Sequence, residues 1–254
     1  MALRLHAMTC GWLESDLGLF VEGAAGPIRV PVPAFLVEHP RGRVVFDSGL
    51  HLATQQDPEG RLGAGLARAF RVRFAPGEEI AARLVALGVD PARVEHLVSS
   101  HLHFDHVGGN AQLPNARWVL QRREWDAARE EGLRARNAYD PRDYDLGHDR
   151  LLVDGEHDVL GDGTVVCLST PGHTAGHQSL RVRLASGEVV LAADACYLRR
   201  TLEDLCLPPI VHDRALMRAS LLRLRALRDA GARVLFGHDP EQWADVPQAP
   251  AVID

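Results

Sequence analysis

Three histidines and one aspartate fall within six positions of this chain, at His101-Leu102-His103-Phe104-Asp105-His106. The apolar run Val94 to Ser99 leads into them, and the turn formers Gly108-Gly109-Asn110 follow. Such a pattern demands a buried strand that stops, then a tight loop. His101 and His103, two apart, share a face of the extended segment, and Asp105 and His106 follow round the bend. Neutral imidazole and carboxylate are the ligands that borderline and hard divalent metals prefer. A histidine-rich surface turn is the competing reading. So many ligating side chains at one strand end favour a metal.

The chain has 254 residues, 46% of them hydrophobic, which suits one well-buried domain over 1–254. Its net charge of -6 argues against a nucleic-acid or anionic-membrane partner, since both require a basic face. All 28 basic residues are arginine, so lysine nucleophiles, Schiff bases and a phosphate-loop lysine are excluded. Cys10, Cys167, Cys196 and Cys206 form neither a Cys-x-x-Cys pair nor a disulfide framework. No apolar run has the length of a signal or membrane segment, so the expected setting is cytoplasmic and reducing. A homodimer is left open.

Other short apolar runs repeat the arrangement. Residues 30–38 and 43–47 read as strands around a turn at 39–42, and the second ends on Asp47. An acidic residue there either caps the turn or supports a metal-bound histidine from behind. Residues 163–168 read as a strand followed by the loop 170–177, which holds His173. Residues 179–184 and 188–193 form a hairpin whose second strand ends at Asp194. Residues 233–236 are a last strand, with His238 just beyond. Helices are predicted at 77–87, 122–131 and 213–229, the last with Leu216, Leu221, Leu224 and Leu227 in its apolar stripe. Residues 49–76 read as a strandless helix or lid, in which Leu62, Leu66, Phe70 and Phe74 could receive an apolar chain. Residues 132–158 read as polar loop, and their Tyr139, Tyr144, His148 and His157 are given no role.

Potential ligands thus lie past four strands: His101, His103, Asp105 and His106; His173; Asp194; and His238. Seven such groups exceed the needs of one tetrahedral ion and suit two ions sharing a carboxylate. Phe104, inside the cluster, cannot ligate, so it packs beneath the metals or lines a substrate site. Cys196 is weighed as a thiolate ligand and set aside.

His101-x-His103-x-Asp105-His106, Gly172-His173-Thr174-Ala175-Gly176-His177-Gln178-Ser179, Asp194-Ala195-Cys196-Tyr197 and Gly237-His238-Asp239 together resemble the metallo-β-lactamase superfamily, and its N-acyl-homoserine lactonase branch in particular. The resemblance runs from about residue 30 to about residue 243. It implies an α/β chain folded as a four-layer αβ/βα sandwich, with a dimetal site at one edge of two sheets. It also implies that His101, His103 and His173 hold one ion, and that Asp105, His106 and His238 hold a second. Asp194 would bridge them, with Asp47 behind. The ions would be two divalent metals per chain, with zinc the default and iron, cobalt or manganese also fitting. The implied reaction is attack on a lactone carbonyl by a metal-bridging hydroxide. In it Tyr197 donates to the oxyanion and contacts substrate, and Asp105 carries a proton to the leaving alkoxide. The rivals are another lactonase (pyridoxolactone-like), a glyoxalase II-like thioesterase and a non-catalytic metal-binding module. No basic cluster for glutathione is visible, and a bare binding module has no use for Tyr197.

Overall fold

The computed structural model describes residues 3–253. The chain begins with two long antiparallel strands, β1 (Arg4–Asp16) and β2 (Pro27–His39), and returns through β3 (Gly42–Phe46). Helices α1 (Pro58–Leu62) and α2 (Ala64–Ala69) precede β4 (Arg71–Arg73), which pairs back onto β1. There follow α3 (Ile80–Ala86), β5 (His96–Val98), the single turn α4 (Phe104–Val107), β6 (Arg117–Gln121) and α5 (Arg122–Arg129). Two short helices, α6 (Glu131–Arg136) and α7 (Pro141–Tyr144), lead to β7 (Arg150–Val153). The second half runs β8 (His157–Asp158), β9 (Val165–Ser169), β10 (Gln178–Leu184), β11 (Gly187–Leu191), α8 (Arg199–Asp204), α9 (Arg214–Asp229), β12 (Arg233–Leu235) and α10 (Pro240–Asp245). A seven-stranded sheet has the order β4-β1-β2-β3-β5-β6-β7, and a five-stranded sheet the order β12-β11-β10-β9-β8.

Strand alternation builds the layers. Val44 and Phe46 of β3 face a central core with Val165 and Cys167 of β9 and Val189 and Leu191 of β11. Their neighbours face outward. Val45 packs with Ile80 and Leu84 of α3 on one side. Val166, Leu168 and Val190 pack with Leu221 and Leu224 of α9 on the other. Three apolar cores therefore separate four layers, helix–sheet–sheet–helix. The parallel strands, covered on both faces, are near-continuous apolar runs for that reason.

Several expectations are corrected. The 49–76 segment holds a strand, β4, tied to β1 by paired hydrogen bonds from Arg73 to Glu14. Three residues flanked by arginine leave no periodic signal. Residues 132–158 are not a solvated loop: Tyr139 and Tyr144 are buried in the core, and the buried His148 donates from Nε2 to the Leu113 carbonyl at 3.0 Å. In α9 the inner face carries Met217 and Ser220 beside Leu221 and Leu224, whereas Leu216 is exposed. A four-residue period through 217, 221 and 224 fits the helix as well as one through 216, and hydrophobicity alone chose the wrong start.

Candidate metal centre

Five strands deliver their carboxyl ends to one edge. β3 and β5 run parallel, as do β11 and β12, and β9 points the same way through its antiparallel neighbour β10. Asp47 follows β3, His101 to His106 follow β5, His173 follows β9, Asp194 follows β11 and His238 follows β12. Pockets at the carboxyl ends of parallel strands are the usual ligand site of open α/β sheets.

The structure gathers the seven predicted ligating residues into two groups. In the first, Nε2 of His101, Nδ1 of His103 and Nε2 of His173 form a triangle with sides of 2.8, 3.0 and 3.2 Å. Nitrogens around a tetrahedral ion at 2.0–2.1 Å lie about 3.3 Å apart, so this spacing fits a shared cation. Burial drives the pKa of His101, His103 and His173 down, which keeps the rings neutral and their lone pairs available. His101 turns its other nitrogen to Ser100 Oγ at 2.9 Å, which aims Nε2 inward.

The second group is Asp105, His106 and His238. His103 stands at the N-cap position of the one-turn helix α4, whose turn places Asp105 and His106 on the inside. Nδ1 of His106 donates to Asp47 at 2.9 Å, and Nδ1 of His238 donates to the Pro31 carbonyl at 2.8 Å. Burial alone would lower the His238 pKa, yet Asp194 raises it; a carbonyl only accepts, so Nδ1 bears a hydrogen and, with the ring neutral, the lone pair of Nε2 faces the site. Asp47 also accepts from the Ser100 amide at 2.6 Å and hydroxyl at 2.8 Å, which pins the strand ends of β3 and β5 together. It does so from a left-handed backbone, φ +56, the kind of strain that persists at functional sites.

Asp194 lies between the groups. Its Oδ1 is 3.2 Å from His106 Nε2 and 3.0 Å from His238 Nε2. Its Oδ2 is 3.3 Å from His173 Nε2 and 3.6 Å from His101 Nε2. For His106 burial alone would lower the pKa, yet Asp194, Asp105 and Asp47 raise it well above the ordinary value. The surroundings favour positive charge at this spot. His106 Nε2 and Asp194 Oδ1 are buried and make no hydrogen bond, as expected of atoms meant for a cation. The donors therefore fit two divalent ions.

Tyr197 is buried with its hydroxyl 3.3 Å from His173 Nδ1, and its ring packs on Phe20, His173 and His238. Burial pushes the phenol pKa well up, so the group is a proton donor at ordinary pH. A cavity of about 290 Å³ opens over both groups and is lined by His103, Asp105, His173, Asp194, His238 and Tyr197, and by apolar Phe20, Leu66, Phe70 and Phe104. Of the four 49–76 residues expected to receive an apolar chain, Leu66 and Phe70 reach this cavity. Phe74 instead packs in the core beside Leu13 and Leu50, and Leu62 lines a neighbouring hollow. Cys196 points away, its thiol on the Leu198 carbonyl at 3.5 Å and its pKa pushed well up by burial.

Three buried residues around the centre escaped the sequence reading. His177 packs beneath His101, with ring centroids 5.2 Å apart, and is held by Thr170. Tyr139 packs on His103 at 5.5 Å, and its hydroxyl donates to Glu124 at 2.5 Å. Glu124 sits in the first turn of α5 with nothing in its sequence neighbourhood to mark it. Only His177 stood inside a recognisable motif, Gly172 to Ser179, where it was given no role.

Comparison with known proteins gives a consistent picture. Residues 27–238 match the family model of the metallo-beta-lactamase superfamily. The N-acyl homoserine lactonase AttM of Azorhizobium caulinodans is 36% identical, covering 99% of this chain and 99% of its own. The N-acyl homoserine lactonase AiiA of Bacillus thuringiensis subsp. kurstaki is 31% identical over 85% of this chain and 84% of its own. A solved N-acyl homoserine lactone hydrolase, with the product N-hexanoyl-L-homoserine at its catalytic metal centre, superposes with a TM-score of 0.89 at 27% identity and full coverage of both chains.

Proposed function

The chain belongs to the metallo-beta-lactamase superfamily and, at 36% identity over 99% of its length, to the N-acyl homoserine lactonases within it; from that premise we propose a dinuclear metal-dependent hydrolase that opens N-acyl-homoserine lactones and so quenches quorum signals. The observation that carries this reading is Asp194 poised between two ligand groups, beside Tyr197, at the floor of one half-apolar cavity.

In this reading His101, His103 and His173 would hold one ion, Asp105, His106 and His238 would hold the other, and Asp194 stands within reach of both groups. Zinc is the proposed metal, and iron, cobalt or manganese suit the same mixed donors. When bound, the ions supply Lewis-acid polarisation of a carbonyl and a nucleophile at neutral pH. The chain does the rest. Phe104, Phe70 and Leu66 take the acyl chain and hold the lactone ring over the floor. Tyr197 donates its hydroxyl hydrogen towards the carbonyl oxygen as charge builds on it. Asp105 lines the same cavity and carries a proton to the departing alkoxide. Asp47 and the Pro31 carbonyl fix the tautomers of His106 and His238 from behind.

We assign the whole chain to one domain and place it in the cytoplasm. All four cysteines are free, which suits a reducing compartment, and among the described residues no helix is long and apolar enough to cross a membrane.

The test is a substrate panel on the metal-loaded protein: N-acyl-homoserine lactones from butanoyl to dodecanoyl, a simple γ-lactone, a pyridoxolactone, a thioester and a β-lactam. The acyl-homoserine lactones should give the highest kcat/KM. Preference for the thioester or the β-lactam sinks the proposal.

A further inference from the structure

We propose that Glu124 is a positioning residue for the first metal group: its carboxylate clasps the two ligand loops, one oxygen to each, and so sets where His103 and His173 converge. Glu124 is fully buried. Its Oε1 accepts from the Leu102 amide at 3.2 Å and from the Tyr139 hydroxyl at 2.5 Å. Leu102 lies between His101 and His103, and Tyr139 packs its ring on His103. Its Oε2 accepts from the Thr174 hydroxyl at 2.8 Å and from the Gly176 amide at 2.8 Å. Thr174 directly follows His173. One oxygen thus serves the loop after β5 and the other the loop after β9, two segments of different sheets whose backbones also meet where the Gln178 amide donates to the Ser100 carbonyl at 2.9 Å.

The chemistry of the clasp is specific. All four partners donate to the carboxylate and none is charged; the two amides can only donate, so each oxygen must keep a lone pair for one of them. As the anion the carboxylate offers lone pairs to all four donors at once, and each charge-assisted bond is stronger than a neutral one. Glutamine keeps the shape but turns an amide's hydrogens onto one loop's two donors. Aspartate is a methylene too short to reach both loops. The neighbouring backbone is fitted to the clasp as well. A Cβ on Gly176 would lie 2.2 Å from the Glu124 backbone nitrogen, so only glycine lets the second loop come close enough to donate. Supports of this kind, one bond removed from the ligands, typically carry 10- to 100-fold of metal affinity.

This inference rests on the metal-holding reading of the first group but not on which lactone is opened. The experiment measures metal affinity of the full chain by competition with a chelator, resolving the two equivalents, with thermal unfolding alongside. Glu124→Gln should lose about 10- to 100-fold in affinity for one equivalent and leave the other within a few-fold. Tyr139→Phe, which removes one donor of four, should show a smaller loss at the same equivalent. In a His103→Ala background, where that equivalent is already impaired, Glu124→Gln should add no further loss. Unchanged affinities in a folded Glu124→Gln, or equal weakening of both equivalents, overturns the proposal. If Glu124→Gln does not fold, Tyr139→Phe and Thr174→Val are judged by the same criteria. A wild-type protein that opens no lactone while these affinity losses persist defeats the lactonase reading and leaves this one standing.

Discussion

Arg61 offers the sharpest stability test, because one of its two partners, Asp143, is pushed up into an accessible range. It lies on α1 with its side chain buried, and it donates to Asp140 at 2.6 Å and to Asp143. Asp140 caps α7, and Arg142 reaches back to the Arg61 carbonyl at 3.0 Å. The four side chains clasp the 49–76 segment to the turn after Tyr139. Burial pushes the Asp143 carboxyl from 3.8 up to about 6, while Arg61 pulls it down and Asp140 pushes it further up. That rise corresponds to about 3 kcal/mol. The folded pKa lies above the unfolded one, so this cost is absent below about pH 4 and fully present above pH 6. In Arg61→Met the guanidinium is gone and the anion is stranded. Breaking a buried pair on one side costs about 3–5 kcal/mol, or roughly 10 °C in Tm for a chain of this size. Asp143 then titrates still higher, so at pH 5 it is protonated and most of the loss disappears. Thermal unfolding of both proteins at pH 5 and pH 8, in the same metal state, gives the gap in Tm. It should be at least twice as large at pH 8. A gap that is equal at both values, or larger at pH 5, refutes the reasoning. Because α2 carries the Leu66 wall of the cavity, KM for acyl-homoserine lactones should rise before kcat falls.

Two further outcomes are expected. Tyr197→Phe keeps the ring contacts to Phe20, His173 and His238 and loses only the hydroxyl; kcat should drop about 100-fold with metal content unchanged, and steady-state kinetics with metal analysis would expose an error if kcat holds. Gly172 has φ +132, and a Cβ there would lie 2.1 Å from the Met217 backbone nitrogen; Gly172→Ala should push the start of α9 off the His173 loop and cost more than about 3 kcal/mol, which an unchanged Tm would contradict.

The residues that gather into the two candidate ligand groups were legible because imidazole and carboxylate are few residue types and here fall just past apolar strands. His101 to His106 are contiguous, and His173, Asp194 and His238 each end a run that reads as a strand alone. The layered fold was legible for a related reason: strands covered on both faces are apolar throughout, and α9 is long enough to show its period. What failed lacked local signal. Glu124 takes its meaning from residues 102, 139, 174 and 176, and no window of sequence holds them together. Tyr139 and Tyr144 were given no role because their stretch reads as polar loop, yet its charges find partners, as Asp140 and Asp143 do in Arg61, and both rings are buried. β4 owes its existence to β1 beside it rather than to its own three residues.

The hydrogen bond from His238 to the Pro31 carbonyl spans 207 positions of sequence. Its consequence is one of timing. During folding the 101–106 turn can form early from local chain, but it is only half a vessel. The second group closes when the last strand has added to its sheet and the two sheets have docked, since β12 brings His238 and β2 brings the carbonyl that orients it. Loop closure over such a distance comes late in assembly. A chain still on its way to the native state therefore offers loose histidines to any passing ion, and only the finished one offers a paired site. The pairing of the two donor groups is thus a property of the docked sheets and of neither stretch of chain alone.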